Sequence, residues 1–403
     1  MMVVLAVGAA WAAPAKSVTI TWGYWGSPSE VEENKSVAAE FERQNPGIKV
    51  EHMTAPWGEY FTRLQTQFDA KAAPDVMFLT YISTSAPMGV LQDLGPLFKK
   101  YGFDRAKYPE GLLNLFSIGG KLYGVPRDND TKVVFVNKKL FREAGIPVPT
   151  ASWTTEQFAD AAKKLTNKEA SQYGLMFDPG NWFLWVFMDE GKMFDDEANP
   201  KKVAFDANAV AGLQFAGDLI NKYKVTPDYD QLSNGTIRQQ MFLNGKVAML
   251  IDNHSQVPSF LAQKDLEWDI APIPTFPGKK HHNVAGGAGY TIYSGTKQPE
   301  AAWKFWEFLN TQGIKLYMKS GTMVPPRTDL LNSKEFSGDK PYNAKVFVDE
   351  TVSGRGFPVN QWWWNVYSAA GPFFDLIWVA GDSAASAVEA ATPEMQKEIK
   401  AKK

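Results

Sequence analysis

Two carboxylates separated by one asparagine, Asp128-Asn129-Asp130, are the residues of this sequence with the clearest potential for chemistry. Residues two apart share one face of an extended strand, so both carboxylates can face the same ligand. A glycoside hydrolase needs two carboxyl groups about 5–10 Å apart across a sugar, and this spacing allows it. The same groups can instead hydrogen-bond vicinal hydroxyls without any reaction, and a simple turn or helix cap is the third interpretation.

Signatures of other enzyme classes are missing from the sequence. It contains no H-E-x-x-H segment, no Walker A loop and no EF-hand loop. The glycine-rich run at 286–289 lacks the last glycine of a dinucleotide-binding fingerprint, and 381–385 lacks the last glycine of a nucleophile elbow. Cysteine is absent and there are only four histidines. We therefore expect no catalytic residue, no metal site and no cofactor.

Aromatic residues stand where strands are predicted to end, which is unusual for core residues. In open α/β sheets ligands bind beyond the carboxyl ends of the strands. Pyranose C–H groups stack on aromatic faces while hydroxyls bond to planar polar groups, so these positions favour a sugar site. Tyr24, Trp25 and Tyr81 stand after predicted strands, Trp57 opens a predicted helix, and two further aromatic clusters contain Trp182 and Trp362, Trp363 and Trp364; these are the predicted ligand-facing aromatics. Three consecutive tryptophans cannot all face one core, so at least one should face a cleft, a partner or solvent.

Length and composition restrict the class of protein. A chain of 403 residues exceeds a single core and predicts two domains. Hydrophobic residues make up 44% and charged residues 21%, which is typical of a globular protein. The net charge of −2 gives no basic field that would recruit nucleic acid or anionic lipid.

The elements that must position these residues follow an α/β pattern that occurs twice. Strands at 18–22, 48–53 and 75–79 alternate with amphipathic helices at 31–45 and 57–71. The order β-α-β-α-β predicts a parallel sheet with crossover helices. A second α/β unit is predicted for 128–280, and Thr154 with Gln157 predicts a capping box in it.

The N-terminus predicts export. Residues 1–15 are uncharged, apolar and end in small residues, as in a secretory signal peptide. No other stretch reaches 18 apolar residues. Without a cysteine at the cleavage point we expect no lipid anchor there, which suits a periplasmic location.

Several motifs along nearly the whole chain resemble the extracellular solute-binding proteins of ABC sugar importers, the family of maltose- and multiple-sugar-binding proteins. The most specific runs from Leu122-Tyr-Gly-Val-Pro126 through Asp128–Val136 to Asn137-Lys-Lys-Leu-Phe141. Further matches are Phe41-Glu-Arg-Gln-Asn-Pro-Gly-Ile-Lys-Val50, Phe242-Leu-Asn-Gly-Lys-Val-Ala-Met-Leu-Ile-Asp252 and Ala301-Ala-Trp-Lys-Phe-Trp-Glu-Phe-Leu309.

The resemblance implies a two-lobed α/β fold with a ligand cleft between the lobes and a helical C-terminal segment. It implies an N-terminal lobe of residues 16–127 plus 283–326 and a C-terminal lobe of residues 128–282 plus 327–403. Hinges would fall near 127–131, 281–286 and 325–330.

The resemblance also implies sugar contacts, residue by residue. They map to Tyr24 and Trp25 with Glu30 nearby, Tyr81 and Ser83, Arg127, Asp128 and Asp130, Trp182, Asp252 and Asn253 with His254 beside them, Gly286 and Gly287, and one of Trp362, Trp363 or Trp364.

The function predicted is therefore a monomeric, non-enzymatic periplasmic protein that binds a mono- or oligosaccharide and delivers it to a membrane permease. Arg127 departs from the family pattern, and Arg355 is a second arginine that could reach the cleft. Together they leave open a phosphorylated or acidic sugar, or glycerol-phosphate, as ligand. A glycoside hydrolase using Asp128 and Asp130 is the alternative from another class.

Overall fold

The computed structural model describes residues 17–400 except 27, 151, 322, 339, 357, 359 and 361. The predicted signal peptide, residues 1–15, lies outside the described residues. No helix in this described part is long and apolar enough to cross a bilayer.

Thirteen strands are present in the described residues. In chain order they are β1 (Val18–Trp25), β2 (Ile48–Ala55), β3 (Val76–Leu79), β4 (Ser117–Ile118), β5 (Lys121–Leu122), β6 (Gly124–Pro126), β7 (Val133–Asn137), β8 (Tyr173–Met176), β9 (Val247–Asp252), β10 (Trp268–Ala271), β11 (Asn283–Ala285), β12 (Gly289–Ile292) and β13 (Gly354–Gly356).

The described residues form eighteen α-helices. They are α1 (Pro28–Gln44), α2 (Trp57–Asp69), α3 (Gly95–Tyr101), α4 (Glu110–Asn114), α5 (Lys138–Glu143), α6 (Thr155–Leu165), α7 (Trp182–Met188), α8 (Ala207–Asn221), α9 (Tyr229–Ser233), α10 (Gly235–Leu243), α11 (Val257–Ala262), α12 (Pro299–Phe308), α13 (Ile314–Ser320), α14 (Thr328–Leu331), α15 (Lys334–Ser337), α16 (Lys345–Val352), α17 (Trp363–Val379) and α18 (Ala384–Lys400).

The first lobe is built on a five-stranded sheet in the order β2-β1-β3-β12-β6. Strand β1 pairs in parallel with both β2 and β3, with α1 and α2 as the crossovers, which confirms the predicted β-α-β-α-β unit. Strand β12 is antiparallel to both β3 and β6. The chain therefore returns to this sheet after building most of the second one.

The second lobe is built on a four-stranded sheet in the order β10-β7-β9-β8. Strand β7 is buried at every residue, as expected for a strand covered by helices on both faces. Its side chains alternate between two cores. Val133 and Phe135 join the core that continues into the first lobe, whereas Val134 and Val136 join a second core formed with α7, α17 and α18.

Local sequence signals account for where several helices begin. Thr154 and Gln157 form the predicted capping box at the start of α6, each side chain bonding the other's backbone N–H. Asn137, Asp206 and Asn234 cap α5, α8 and α10, each through a single hydrogen bond to its side-chain oxygen.

Two segments join the sheets. The first connection, residues 127–132, leads from β6 to β7, and the second connection, residues 272–288, leads from β10 back to β12. Within the second connection, β11 pairs in parallel with β13.

The connections are hydrogen-bonded to each other rather than lying apart. Arg127 N–H donates to Ala288 O at 2.7 Å, and Asp130 N–H donates to Gly286 O at 3.1 Å. The side chain of Thr131 donates to Val284 O at 3.3 Å. The two sheets are thus joined by a narrow, bonded band of backbone.

Candidate functional site

A cavity of about 370 Å³ lies beside the two connections and is lined by residues of both lobes. The first lobe contributes Trp25 at the end of β1 and Thr80 after β3, and the second contributes Asn253 after β9. The carboxyl ends of β1, β3 and β9 therefore all point to this space, as expected for an α/β sheet. A larger groove of about 490 Å³ near Trp378 contains none of the predicted site residues.

An arginine–aspartate pair lines one wall of the cavity. The side chain of Arg127 donates to Asp128 through Nε at 2.6 Å and also through Nη2. The guanidinium lies over the ring of Phe78, 4.7 Å from its centroid. Burial lowers the pKa of Arg127, but the charge of Asp128, the neighbouring Tyr290 and Tyr317 and the hydrogen bond to Asp128 together outweigh burial, so the pKa is raised. The cation is therefore neutralised within the wall.

The second oxygen of Asp128 explains why glycine stands at 287. Oδ1 accepts the N–H of Ala288 at 2.8 Å. Gly287 has a φ of +127°, and a Cβ there would lie 2.5 Å from that oxygen. Only glycine fits this close approach without strain.

A second charged group of the wall is built around Asp130. Its carboxylate accepts from Lys132 Nζ at 3.2 Å and from the side-chain amide of Asn253. Burial lowers the pKa of Lys132, but the charges of Asp130 and then Asp252 outweigh it and raise it. For the acid Asp252, burial has the opposite effect and raises the pKa, although the charge of Lys132 lowers it in part. Asp252 itself lies outside the cavity lining.

Aromatic rings form the other walls. Trp25, Phe183, Trp364 and Tyr367 line the cavity. Trp25 packs edge-on against Tyr60, with ring centroids 5.3 Å apart. Trp364 and Tyr367 pack edge-on at 5.6 Å.

The structure brings together one part of the predicted site. The predicted residues that line the cavity are Trp25, Arg127, Asp128, Asp130, Asn253, Gly287 and Trp364. Glu30 and His254, which sequence reasoning had placed next to the site, line it as well.

Other predicted aromatics lie in the cores. Tyr24 is fully buried, and its hydroxyl contacts His52 Nδ1 at 2.9 Å. Trp182 is 3% exposed and Trp363 2% exposed. Trp362 is half-buried outside the cavity lining. The side chain of Trp57, the first residue of α2, is outside the described side chains.

Three further predicted residues do not line the cavity. Gly286 accepts the N–H of Asp130 through its carbonyl, and Tyr81 contacts Trp364. Arg355 donates to Gly191 O at 2.7 Å, lies 3.5 Å from Glu197 and covers the ring of Phe187.

Sequence reasoning missed several lining residues, notably Tyr367, Phe183 and Asn181. Tyr367 stands three residues after Trp364 in α17, one helical turn away on the same face, so helical spacing could have found it. Phe183 follows Trp182 in α7, and adjacent helical residues face different directions.

His254 gives the site a predicted pH dependence. The residue is 4% exposed and packs on the ring of Phe347 at 4.7 Å. Burial, and then the charge of Lys340, lowers the pKa of His254 to about 3. Since an unfolded histidine titrates near 6.5, this stabilisation is complete above that pH and is lost as the pH falls toward 3.

We expect His254 to reduce the free energy of unfolding by about 2 kcal/mol between pH 7 and pH 5. Urea unfolding at both pH values measures this loss. A His254→Gln variant should lose most of the difference, because glutamine does not titrate. An equal pH dependence in both proteins would assign the loss of stability at low pH to other titratable groups. His281 is not such a group, because its hydrogen bond to Glu350 raises its pKa and so favours the folded state at low pH.

Two lobes joined by a bonded band of connections, with a cavity lined from both sides, define the class of two-lobed α/β binding proteins. Residues 27–315 match the family described as bacterial extracellular solute-binding protein. Because the match covers more than half of the chain, the protein belongs to this family.

Curated relatives agree with this assignment. The maltodextrin-binding protein of Bacillus subtilis is 28% identical over 308 residues, covering 73% of this chain and 70% of the relative. The maltooligosaccharide ABC transporter solute-binding lipoprotein of Streptococcus pneumoniae strain R6 is 26% identical over 335 residues, covering 80% and 75%.

Solved structures share the fold. The ABC substrate-binding protein of Listeria monocytogenes, in complex with cycloalternan, superposes with a TM-score of 0.85 at 24% identity, covering 95% of this chain and 99% of that one. The sugar-binding protein of Xanthomonas citri gives a TM-score of 0.82 at 23% identity, covering 95% and 98%. Both structural similarities confirm the predicted two-lobed fold.

Proposed function

We propose that this protein is the substrate-binding component of an ABC importer and binds a neutral mono- or oligosaccharide in the cavity between its lobes. The observation that carries the proposal is the pairing of aromatic faces with planar hydrogen-bonding groups around one cavity. Trp25 and Trp364 offer surfaces for sugar C–H groups, and Asp128, Asp130 and Asn253 offer partners for hydroxyls. Relatives named for maltodextrin and maltooligosaccharide binding support it.

The charges at the cavity favour a neutral ligand over an anionic one. The three carboxylates Glu30, Asp128 and Asp130 among the described lining residues outnumber the two cations of the wall, Arg127 and Lys132. Arg127 is already paired with Asp128, and Arg355 is held by Gly191 and Glu197 away from the cavity. A phosphorylated or acidic sugar would therefore meet net repulsion.

The contacts of the two aspartates argue against a glycoside hydrolase. Both oxygens of Asp128 are engaged, one by Arg127 and the other by the N–H of Ala288. Asp130 is engaged by Lys132 and Asn253. A hydrolase needs one carboxyl group that carries a transferable proton, whereas these carboxylates are held by cations and donors.

Closure of the lobes around the ligand is the proposed mechanism. Ligand that contacts both lobes favours the closed state, because only there are both sets of contacts made. The proposed hinge consists of the mutually bonded connections, residues 127–132 and 272–288, and the third predicted crossing near 325–330. We also propose the lobe bounds 16–127 with 283–326 and 128–282 with 327–403, docking of the closed form on a membrane permease, and a periplasmic location.

Replacing Trp364 with alanine tests the site. We expect this half-buried ring to be needed for stacking, so Trp364→Ala should weaken sugar binding about tenfold, about 1.4 kcal/mol. Titration calorimetry with maltose, maltotriose, galactobiose and mannotriose measures the effect. Trp362→Ala is the matched control, since that half-buried neighbour lies outside the cavity lining. Absence of heat with every neutral sugar, or equal affinity in wild type and Trp364→Ala, would contradict the proposal.

A further inference from the structure

A groove of about 490 Å³ lies in the second lobe, away from the cavity between the lobes. Its walls come from the C-terminal ends of α8 and α17 and from the segment that leads into α9. Trp378 lines the groove and Trp364 lines the cavity, and both belong to α17. Because a helix rises about 1.5 Å per residue, these two residues lie about 20 Å apart along its axis. The groove is therefore a separate space from the proposed sugar site.

Two hydrogen-bonding side chains of the groove are held in place by the protein itself. The amide nitrogen of Asn221 donates to Ile377 O at 2.7 Å and to Gly217 O at 3.3 Å. These bonds fix the orientation of the amide, and its Oδ1 accepts no hydrogen bond from the described residues. The hydroxyl of Tyr229 donates to Asp375 Oδ1 at 2.7 Å, which leaves its oxygen as an acceptor. A ligand would therefore meet two acceptors that need no ordering on binding.

Thr226, which also lines the groove, has an unsatisfied hydroxyl. The residue is 7% exposed, and its Oγ1 is buried without a hydrogen-bond partner among the described residues. Such a group costs free energy, which valine of the same shape would avoid. A small adjustment of this side chain on binding would let a ligand hydroxyl supply the missing bond.

The charges around the groove balance. Lys168, Lys224, Asp228 and Asp230 are exposed, and none of them forms an ion pair with another described residue. Two cations and two carboxylates give no net attraction for an ionic ligand. A sugar hydroxyl both donates and accepts, so it can bond to carboxylates and ammonium groups alike. The exposed side chain of Val379 adds an apolar surface for sugar C–H groups.

We propose that this groove is a second binding site for a neutral saccharide, in which Asn221, Thr226 and Tyr229 bond to the sugar hydroxyls. The inference goes beyond the proposed importer function, because it does not depend on which ligand fills the cavity between the lobes.

NMR titration with maltose and with mannotriose tests the inference, because the indole N–H signals report the two sites separately. Trp378→Phe and Trp364→Phe assign the signals of the groove and of the cavity. We expect a saturable shift of the Trp378 signal in wild type and, at the same affinity, in Trp364→Ala. Thr226→Val should weaken this affinity about fivefold, whereas Thr236→Val, outside the groove lining, should leave it unchanged. Thr226→Val should also not lower the urea midpoint, since it removes a buried hydroxyl that has no partner.

The two signals keep this inference distinct from the proposed function. A Trp364 shift without a Trp378 shift would overturn the second site and leave the proposed function standing. A Trp378 shift alone would support the second site and contradict the proposed function for these sugars. A Trp378 shift with zwitterionic glycine but with neither sugar would overturn the inference, as would unchanged affinity at the groove in Thr226→Val.

Discussion

Replacing Trp182 with alanine should lower the free energy of unfolding by about 3–5 kcal/mol, the cost of truncating a large buried side chain. Trp182 is 3% exposed and begins α7, a helix that is buried at every residue. Its ring packs edge-on against Phe374 at 4.9 Å and stacks on Tyr367 at 5.8 Å. The cavity left by alanine could not collapse easily, because rigid rings surround it.

Urea unfolding of Trp182→Ala beside Trp364→Ala measures this difference. Trp364 is half-buried, so its replacement should cost clearly less stability. An unfolding midpoint for Trp182→Ala equal to that of wild type would show that the ring is not part of the second core. Trp182 was predicted to stack on sugar, but its ring is buried. Any loss of sugar binding in Trp182→Ala should therefore act through Tyr367, which contacts Trp182 and lines the cavity.

Replacing Glu350 with alanine should be as costly, about 3–5 kcal/mol, as when one partner of a buried ionic network is removed. Glu350 is 1% exposed. Its carboxylate accepts from the backbone N–H of Ile273 at 3.1 Å and from the side chain of Asn283 at 2.6 Å. It also contacts His281 Nε2 at 2.9 Å. Alanine would leave the backbone N–H of Ile273 and one N–H of the Asn283 side chain without this acceptor, each at a cost of about 1–3 kcal/mol.

Glu350→Gln is the matched control for this prediction, because it keeps the volume and one acceptor oxygen. We expect chemical denaturation to place Glu350→Gln between wild type and Glu350→Ala. NMR titration adds an independent measurement: the hydrogen bond to Glu350 raises the pKa of His281, so this pKa should fall in Glu350→Ala. An unchanged His281 pKa together with unchanged stability would refute the network.

The position of this network connects stability with the proposed hinge. Ile273, His281 and Asn283 all belong to the second connection, and Glu350 lies in the last turn of helix α16. Asn283 also donates to the carbonyl of Lys132 at 2.6 Å, in the first connection. The carboxylate therefore helps to hold both connections together, and its loss should loosen the region about which we propose that the lobes rotate.

The sequence alone was sufficient for the elements of the fold and for the family. Strands β1 to β3, the capping box of α6 and the amphipathic helix α2 depend on neighbours within a few residues. Hydrophobic periodicity and capping act over that range, so they can be interpreted without coordinates. The family motifs are likewise continuous runs of residues.

Tertiary structure alone decided which side chains meet at the cavity. Trp182 and Trp364 look alike in the sequence, but α17 packs across α7 and buries the first, while the second stays at the edge. Arg127 and Arg355 both could have bound an anion, and each instead has a carboxylate beside it. Burial and charge pairing depend on residues far apart in the chain, and only the packing of the two lobes determines which of those residues become neighbours.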